Sequence, residues 1–266
     1  MELLNISPVP YLPSTMWLVF RALADTPDLN RAELIDAVCP SSMLGEKLKE
    51  PAHVSRAIDA LVTFEMLVTD DGNAYRSIGN LDLGTFTREL RRRTLVSGNE
   101  SNSPDDLVRA LQWLVEQSPI KTLEFPTGNG VFVNDTRWNS FTYWATFLGF
   151  ARDWPLDARE RSVDPTAAVY DAIFYPFGGP LPGGVLELGS LLQHLRSELP
   201  ILYSTEHDGV ATVLPSTAFA LRSLAARGHI RLERTADAQS VIRFPAGAGA
   251  KGEDYFSHVT VLGAAS

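Results

Sequence analysis

Apolar residues recur at helical spacing from the start of the chain, and TMWLVFRALA over residues 15–24 predicts a first helix with Ser14 as its N-cap. Asn30 can cap a second, short helix over Arg31 to Val38, and Pro40 marks its end because proline cannot continue a helix. From His53, HVSRAIDALVTFEML sets Val54, Ala57, Ile58, Leu61 and Val62 on one stripe and leaves His53, Ser55, Arg56, Asp59 and Thr63 outward. LVTDDGNAYRSI then reads as two short strands around Asp70-Asp71-Gly72-Asn73, whose Gly and Asn suit a tight turn. Three helices followed by a hairpin is the order of a winged helix.

The order recurs near the C-terminus. ELGSLLQHLRSEL (187–199) and STAFALRSLAARGHI (216–230) are helical patterns, and IRLERTADAQSVIRF (230–244) reads as a hairpin. Leu221, Leu224, Gly228 and Ile230 match Ile58, Leu61, Glu65 and Leu67, so helix and wing have the same spacing in both copies, with Glu65 standing where a turn glycine is usual. Between the copies, residues 84–96 and 104–117 have helical periodicity, an aromatic-rich stretch follows over 136–154, and Asp164 caps another short helix. A Gly/Pro-rich loop ends this middle, and a terminal alternation (SHVTVL) suits a last strand able to pair with the second wing. The expected fold is mainly α with small β wings (α+β). It comprises a winged helix over 1–83, a helical middle domain over 84–182, and a second winged helix with the terminal strand over 183–266.

Charge narrows the function. A net charge of −9 argues against a protein that coats nucleic acid, since phosphate binding needs concentrated Lys and Arg. The imbalance is uneven: residues 201–266 carry 6 basic and 6 acidic side chains, whereas 101–200 carry 7 and 12. The single Cys39 excludes an internal disulfide and every multi-cysteine metal site, and fits a reducing compartment. With no basic leader ahead of an apolar run, and no apolar run near the roughly 20 residues of a membrane span, a cytoplasmic protein without membrane contact is expected.

Catalytic and cofactor signatures are missing from the sequence. The five histidines show no HExxH or HxH spacing and read as scattered surface or wing residues. The Gly-rich pieces at 178–184 and 247–252 lack GxGxxG and GxxxxGK[ST], so they read as loops. Cys39 sits at a helix end, where the dipole disfavours a thiolate. Asp70-Asp71 and Asp105-Asp106 are explained by a turn and by a helix N-terminus. No enzyme, metal or cofactor is expected, although the loop at 176–184 is where an unusual catalytic site would fall.

The helix-turn-helix geometry, with the recognition helix in the major groove and the wing on phosphates, selects candidate DNA contacts. These are Arg56 and Arg76 in the first copy, and Ser216, Thr217, Arg222, Arg231 and Arg234 in the second. Phe219 falls at a base-reading position but equally suits a protein interface. Arg88, Arg91, Arg92 and Arg93 form the densest basic run, read either as a phosphate-lining patch or as a solvated helix face. Trp138, Trp144 and Trp154, in apolar company, read as core rather than as base-stacking platforms.

The opening LLNISPVPYLPSTMWLVFRAL, the central NDTRWNSFTYWATFLGFA, the following DPTAAVYDAI and the closing SHV together resemble the DpdG family. The resemblance implies an accessory component of a bacterial cluster that places 7-deazapurines in DNA and restricts foreign DNA, working with helicase, ATPase or nuclease partners. It carries no catalytic residues. Two functions remain open: contact with duplex DNA through the second wing, or a protein adaptor that binds no DNA.

Overall fold

The structure is a computed structural model and describes residues 2–4, 11–40, 42, 51–70, 74–79, 81–96, 104–126, 130–179, 181, 184–207, 209–238, 240–246 and 252–263. The chain is α+β, with helices and small, chiefly antiparallel sheets, and it divides into two compact units. The first comprises residues 1–107 and 125–148, the second 108–124 and 149–266. Among the described residues no helix is long and apolar enough to cross a membrane.

In the first unit, α1 (Pro13–Asp25), α2 (Arg31–Val38) and α3 (Ala52–Thr63) pack on one another ahead of a hairpin of β1 (Leu67–Asp70) and β2 (Ala74–Ser77). The hairpin's expected turn residues, Asp71 to Asn73, lie outside the described residues. Helix α2 starts as the sequence predicts: the Asn30 side chain accepts from the N–H groups of Ala32 and Glu33, and Glu33 accepts from the Asn30 N–H, a reciprocal capping box. Helix α1 differs, because it begins at Pro13 and Ser14 is not its cap; proline at the first position lacks the N–H that a cap would satisfy. On α3 the buried stripe is Val54, Ala57, Ile58, Ala60 and Leu61, while Val62, expected inside, is 36% exposed. Helix α4 (Leu83–Val96) brings Phe86 against Trp17 and Phe20 of α1, with ring centroids 5.2 and 5.1 Å apart. Helix α5 (Asp105–Val115) follows, its first turn counted with this unit. In α6 (Asp135–Phe147), Trp144 is fully buried, and Trp138 meets Phe132 edge-on at 5.0 Å, so both are packing residues.

The second unit contains the hairpin β3 (Ala151–Trp154) and β4 (Asp157–Val163), α7 (Thr166–Phe174), β5 (Gly184–Glu187) and α8 (Leu188–Glu198). Asp164, expected as the cap of α7, lies one residue before the N-cap Pro165 and accepts from the Thr166 N–H at 3.0 Å. Then come β6 (Ser204–His207), β7 (Val210–Val213), α9 (Pro215–Ala226), β8 (Ile230–Glu233), β9 (Ile242–Phe244), β10 (Asp254–Phe256) and β11 (His258–Val261). The β6–β7 hairpin escaped the sequence reading; Gly209 just ahead of β7 has φ +72°. The expected hairpin over 230–244 does not form. Strand β8 pairs with β11 in a sheet ordered β5-β11-β8, while β9 pairs with β10 and runs parallel to β7 in a sheet ordered β10-β9-β7-β6. Local alternation specifies a strand but not its partner, and TADAQSV is no two-residue turn.

The repeat read from the sequence is present in the backbone. Helix α3 and strand β1, at 52–63 and 67–70, correspond residue for residue to α9 and β8, at 215–226 and 230–233. Both helices end with the same bonds: Phe64, Glu65 and Met66 N–H to the carbonyls of Ala60, Val62 and Leu61, and Arg227, Gly228 and His229 N–H to those of Ser223, Ala225 and Leu224. This Schellman-type end requires a left-handed residue, supplied by Glu65 (φ +56°) in one copy and Gly228 (φ +77°) in the other. A Cβ at Gly228 meets nothing within 4 Å, so there the backbone penalty alone opposes a side chain. Gly228→Ala is therefore expected to lower stability by about 1–2 kcal/mol in urea unfolding, and Glu65→Gly to raise it by up to about 1 kcal/mol.

Candidate functional site

The arginines of α4 do not form a solvated face. Consecutive helical positions are about 100° apart, so Arg91, Arg92 and Arg93 point in three directions. Arg91 is 4% exposed, and its Nε donates to the Leu148 carbonyl at 2.7 Å. Arg92 and Arg93 converge on Glu89, each with a contact of 2.5 Å. Arg93 also donates to the Phe64 carbonyl at 2.7 Å, at the C-terminal end of α3, and lies 3.3 Å from Glu65. Arg88 donates to Thr85 Oγ1 at 2.7 Å. Within this run Arg91 is buried, and Arg92 and Arg93 form a clamp on Glu89.

Glu89 is the centre of that clamp. Burial pushes its carboxyl up, but the hydrogen bonds from Arg92 and Arg93 outweigh burial and hold it below the ordinary carboxylate value.

The outward side of α3 is also internally paired. Arg31 at the start of α2 donates to Asp59 Oδ1 at 2.8 Å and to the Ser55 carbonyl at 3.3 Å, and the Asp59 hydrogen bond strengthens the hold of its guanidinium on the proton. The Arg56 guanidinium lies 4.1 Å from the Tyr11 ring centroid. Arg76 on β2 is exposed and pairs with Asp28.

In the second unit, Ser216 and Thr217, expected to face a groove, are buried at 0% and 2% exposure. The Ser216 hydroxyl donates to the Val115 carbonyl, and Thr217 Oγ1 has no hydrogen-bond partner among the described residues. The reason is that α9 starts at Pro215 and turns Ser216, Thr217 and Ala218 inward, leaving only Pro215 of its first turn exposed. Phe219 is half-buried, with the Arg152 guanidinium 5.4 Å from its ring centroid, rather than an exposed anchor. Arg222 donates to the Pro245 carbonyl at 2.8 Å and to Asp254 at 2.7 Å, and lies over Phe244. Arg231, at 60% exposure, lies 3.2 Å from Glu233; Arg234 is exposed, 5.9 Å from the Tyr255 ring centroid.

Two further features escaped the sequence reading. Asp106, explained there by the helix dipole alone, is 4% exposed and accepts from the N–H groups of Leu3 (3.1 Å) and Leu4 (2.7 Å), about a hundred residues earlier. The other is a cavity of about 330 Å³ in the second unit, bordered by Glu187, Thr235, Asp237, Ser240, Ser257 and His258. It is assembled from β5, the segment after β8, and the start of β11. Such separation leaves no local motif, although the register places Glu187, His258 and Glu233 side by side across the sheet. Ser257 is 5% exposed; its Oγ accepts from the Thr235 N–H at 3.0 Å and lies 2.9 Å from His258 Nδ1.

Fold and site together define an α+β protein with a repeated helix–turn–strand unit and arginines engaged by its own carboxylates and carbonyls. Residues 1–238 match the family model described as DpdG-like, and the chain belongs to that family. Membership points to an accessory part in a DNA-modification system. No curated protein and no solved structure matches the chain.

Because Glu89 has a lowered pKa in the folded state, its contribution to stability is complete above about 4.5, its ordinary value, and is lost as pH falls through the lowered value. Glu89→Gln is expected to destabilise the protein by about 1–3 kcal/mol at neutral pH in urea unfolding. The gap to wild type should narrow as pH falls below about 4.5 and wild type loses the same charge.

Proposed function

We propose that this chain is a non-enzymatic accessory subunit of a bacterial DNA-modification or phage-defence system, and that it works by docking protein partners. On this reading the two helix–hairpin units are winged helices used as protein-contact modules, as the fold class allows. The observation that carries it is the state of the candidate DNA contacts. Arg91 is buried on a carbonyl, Arg92 and Arg93 share Glu89, Arg222 binds Asp254, and Ser216 and Thr217 are inside. A protein of net charge −9 with its arginines so engaged has little to gain from releasing counterions from a phosphate backbone. The helicase, ATPase or nuclease subunits implied by the family are the expected partners, and Cys39 as the single cysteine fits the reducing cytoplasm.

A second reading, duplex DNA contact through the second unit, is favoured by one observation: Arg231 in β8 and Arg234 just past its end, three positions apart, are both exposed.

Fluorescence anisotropy with a labelled duplex at about 50 and 200 mM salt separates the readings. The adaptor reading expects no saturable binding even at the lower salt, and stable co-elution with at least one purified partner subunit. A steep salt slope, lost in the Arg231→Ala, Arg234→Ala variant, would instead establish the DNA reading.

A further inference from the structure

The exposed face of the β5-β11-β8 sheet is distinct from the buried one. In antiparallel pairing, directly opposed residues share a face, so Val185 and Glu187 of β5, His258 and Thr260 of β11, and Arg231 and Glu233 of β8 lie on one side. Ile230 and the fully buried Val259 lie on the other. On the first side, Glu233 is already engaged, by Arg231 at 3.2 Å and by the Thr260 hydroxyl at 3.0 Å. Glu187 and Asp237, which border the cavity, have no ion-pair or hydrogen-bond partner among the described residues.

The cavity therefore offers two unengaged carboxylates, the hydroxyl of Ser240 and one imidazole, with no lysine or arginine in its lining. The imidazole is held in place. Buried Ser257, fixed by the Thr235 N–H, sits 2.9 Å from His258 Nδ1, and Nε2 has no hydrogen-bond partner among the described residues. Among the described residues no three metal-ligating side chains gather, so the set does not describe a metal centre. Acceptors on several sides of a cavity of about 330 Å³ suit a planar cation with several divergent N–H donors, a guanidinium, better than an anion or an apolar group.

We propose that this cavity receives an arginine side chain of a protein partner, with Glu187 and Asp237 as its carboxylate acceptors and His258 as a positioned contact beside them. The inference rests on the adaptor reading and makes it specific: the partner presents a basic residue to an acidic chain. The charge complementarity is local: the unengaged carboxylates of Glu187 and Asp237 give a basic segment an end point.

The test uses the full chain and a defined probe, N-acetyl-arginine amide, with the neutral isostere N-acetyl-citrulline amide alongside. Binding is followed by the NMR signals of the His258 ring, assigned with His258→Gln. The arginine probe should shift these signals saturably with a millimolar Kd, and the citrulline probe should not. Glu187→Gln and Asp237→Asn, both surface changes expected to leave the fold intact by circular dichroism, should each weaken the arginine probe about tenfold. Equal shifts from both probes, no saturation, or unchanged affinity in both variants would overturn the proposal. Those outcomes would leave the adaptor reading standing, since that is judged separately by DNA anisotropy and partner co-elution.

Discussion

An arginine removed from water must find acceptors for its N–H groups, and that demand organises much of this protein. Arg91 meets it with a backbone carbonyl at the end of α6, and Arg93 with the carbonyl at the end of α3. Both are carbonyls that a helix terminus cannot satisfy internally, so each arginine removes an unpaired donor and an unpaired acceptor at once. Glu89 supplies the countercharge for Arg92 and Arg93, which makes the clamp neutral enough to sit largely out of solvent. Arg222 repeats the device in the second unit with the Pro245 carbonyl and Asp254.

The same demand bears on function. A positive side chain held by a carbonyl and a carboxylate has already exchanged its water for protein, and to contact a phosphate it would first have to break those bonds. Among the candidate DNA contacts of the second unit, only Arg231 and Arg234 are exposed, few beside the acidic total. Glu187 and Asp237 are in the opposite position, carboxylates at a cavity with no partner among the described residues.

Reuse of one local unit explains how two copies tolerate such different surroundings. The helix end, its left-handed residue and the following strand are kept residue for residue, because their bonds are made within a few positions of chain. What the strand then pairs with is not kept: β1 turns back to β2, whereas β8 is joined by β11 from the far end of the sequence.

Periodicity and capping were enough to read α2 with its Asn30 box, the buried stripe of α3, the β1–β2 hairpin, and the correspondence of Glu65 with Gly228, because each is set by interactions spanning a few residues. The outward placement of Ser216 and Thr217, the role of the Arg88–Arg93 run, the anchoring of Leu3 and Leu4 by Asp106, and the cavity at His258 were decided by tertiary structure. Each depends on a partner tens of residues away: Val115 for Ser216, Leu148 and Phe64 for the arginines, β5 and β8 for His258. Hydrophobic spacing tells which side of a helix turns inward, but it carries no information on which distant carbonyl or carboxylate will meet a polar group that goes in with it.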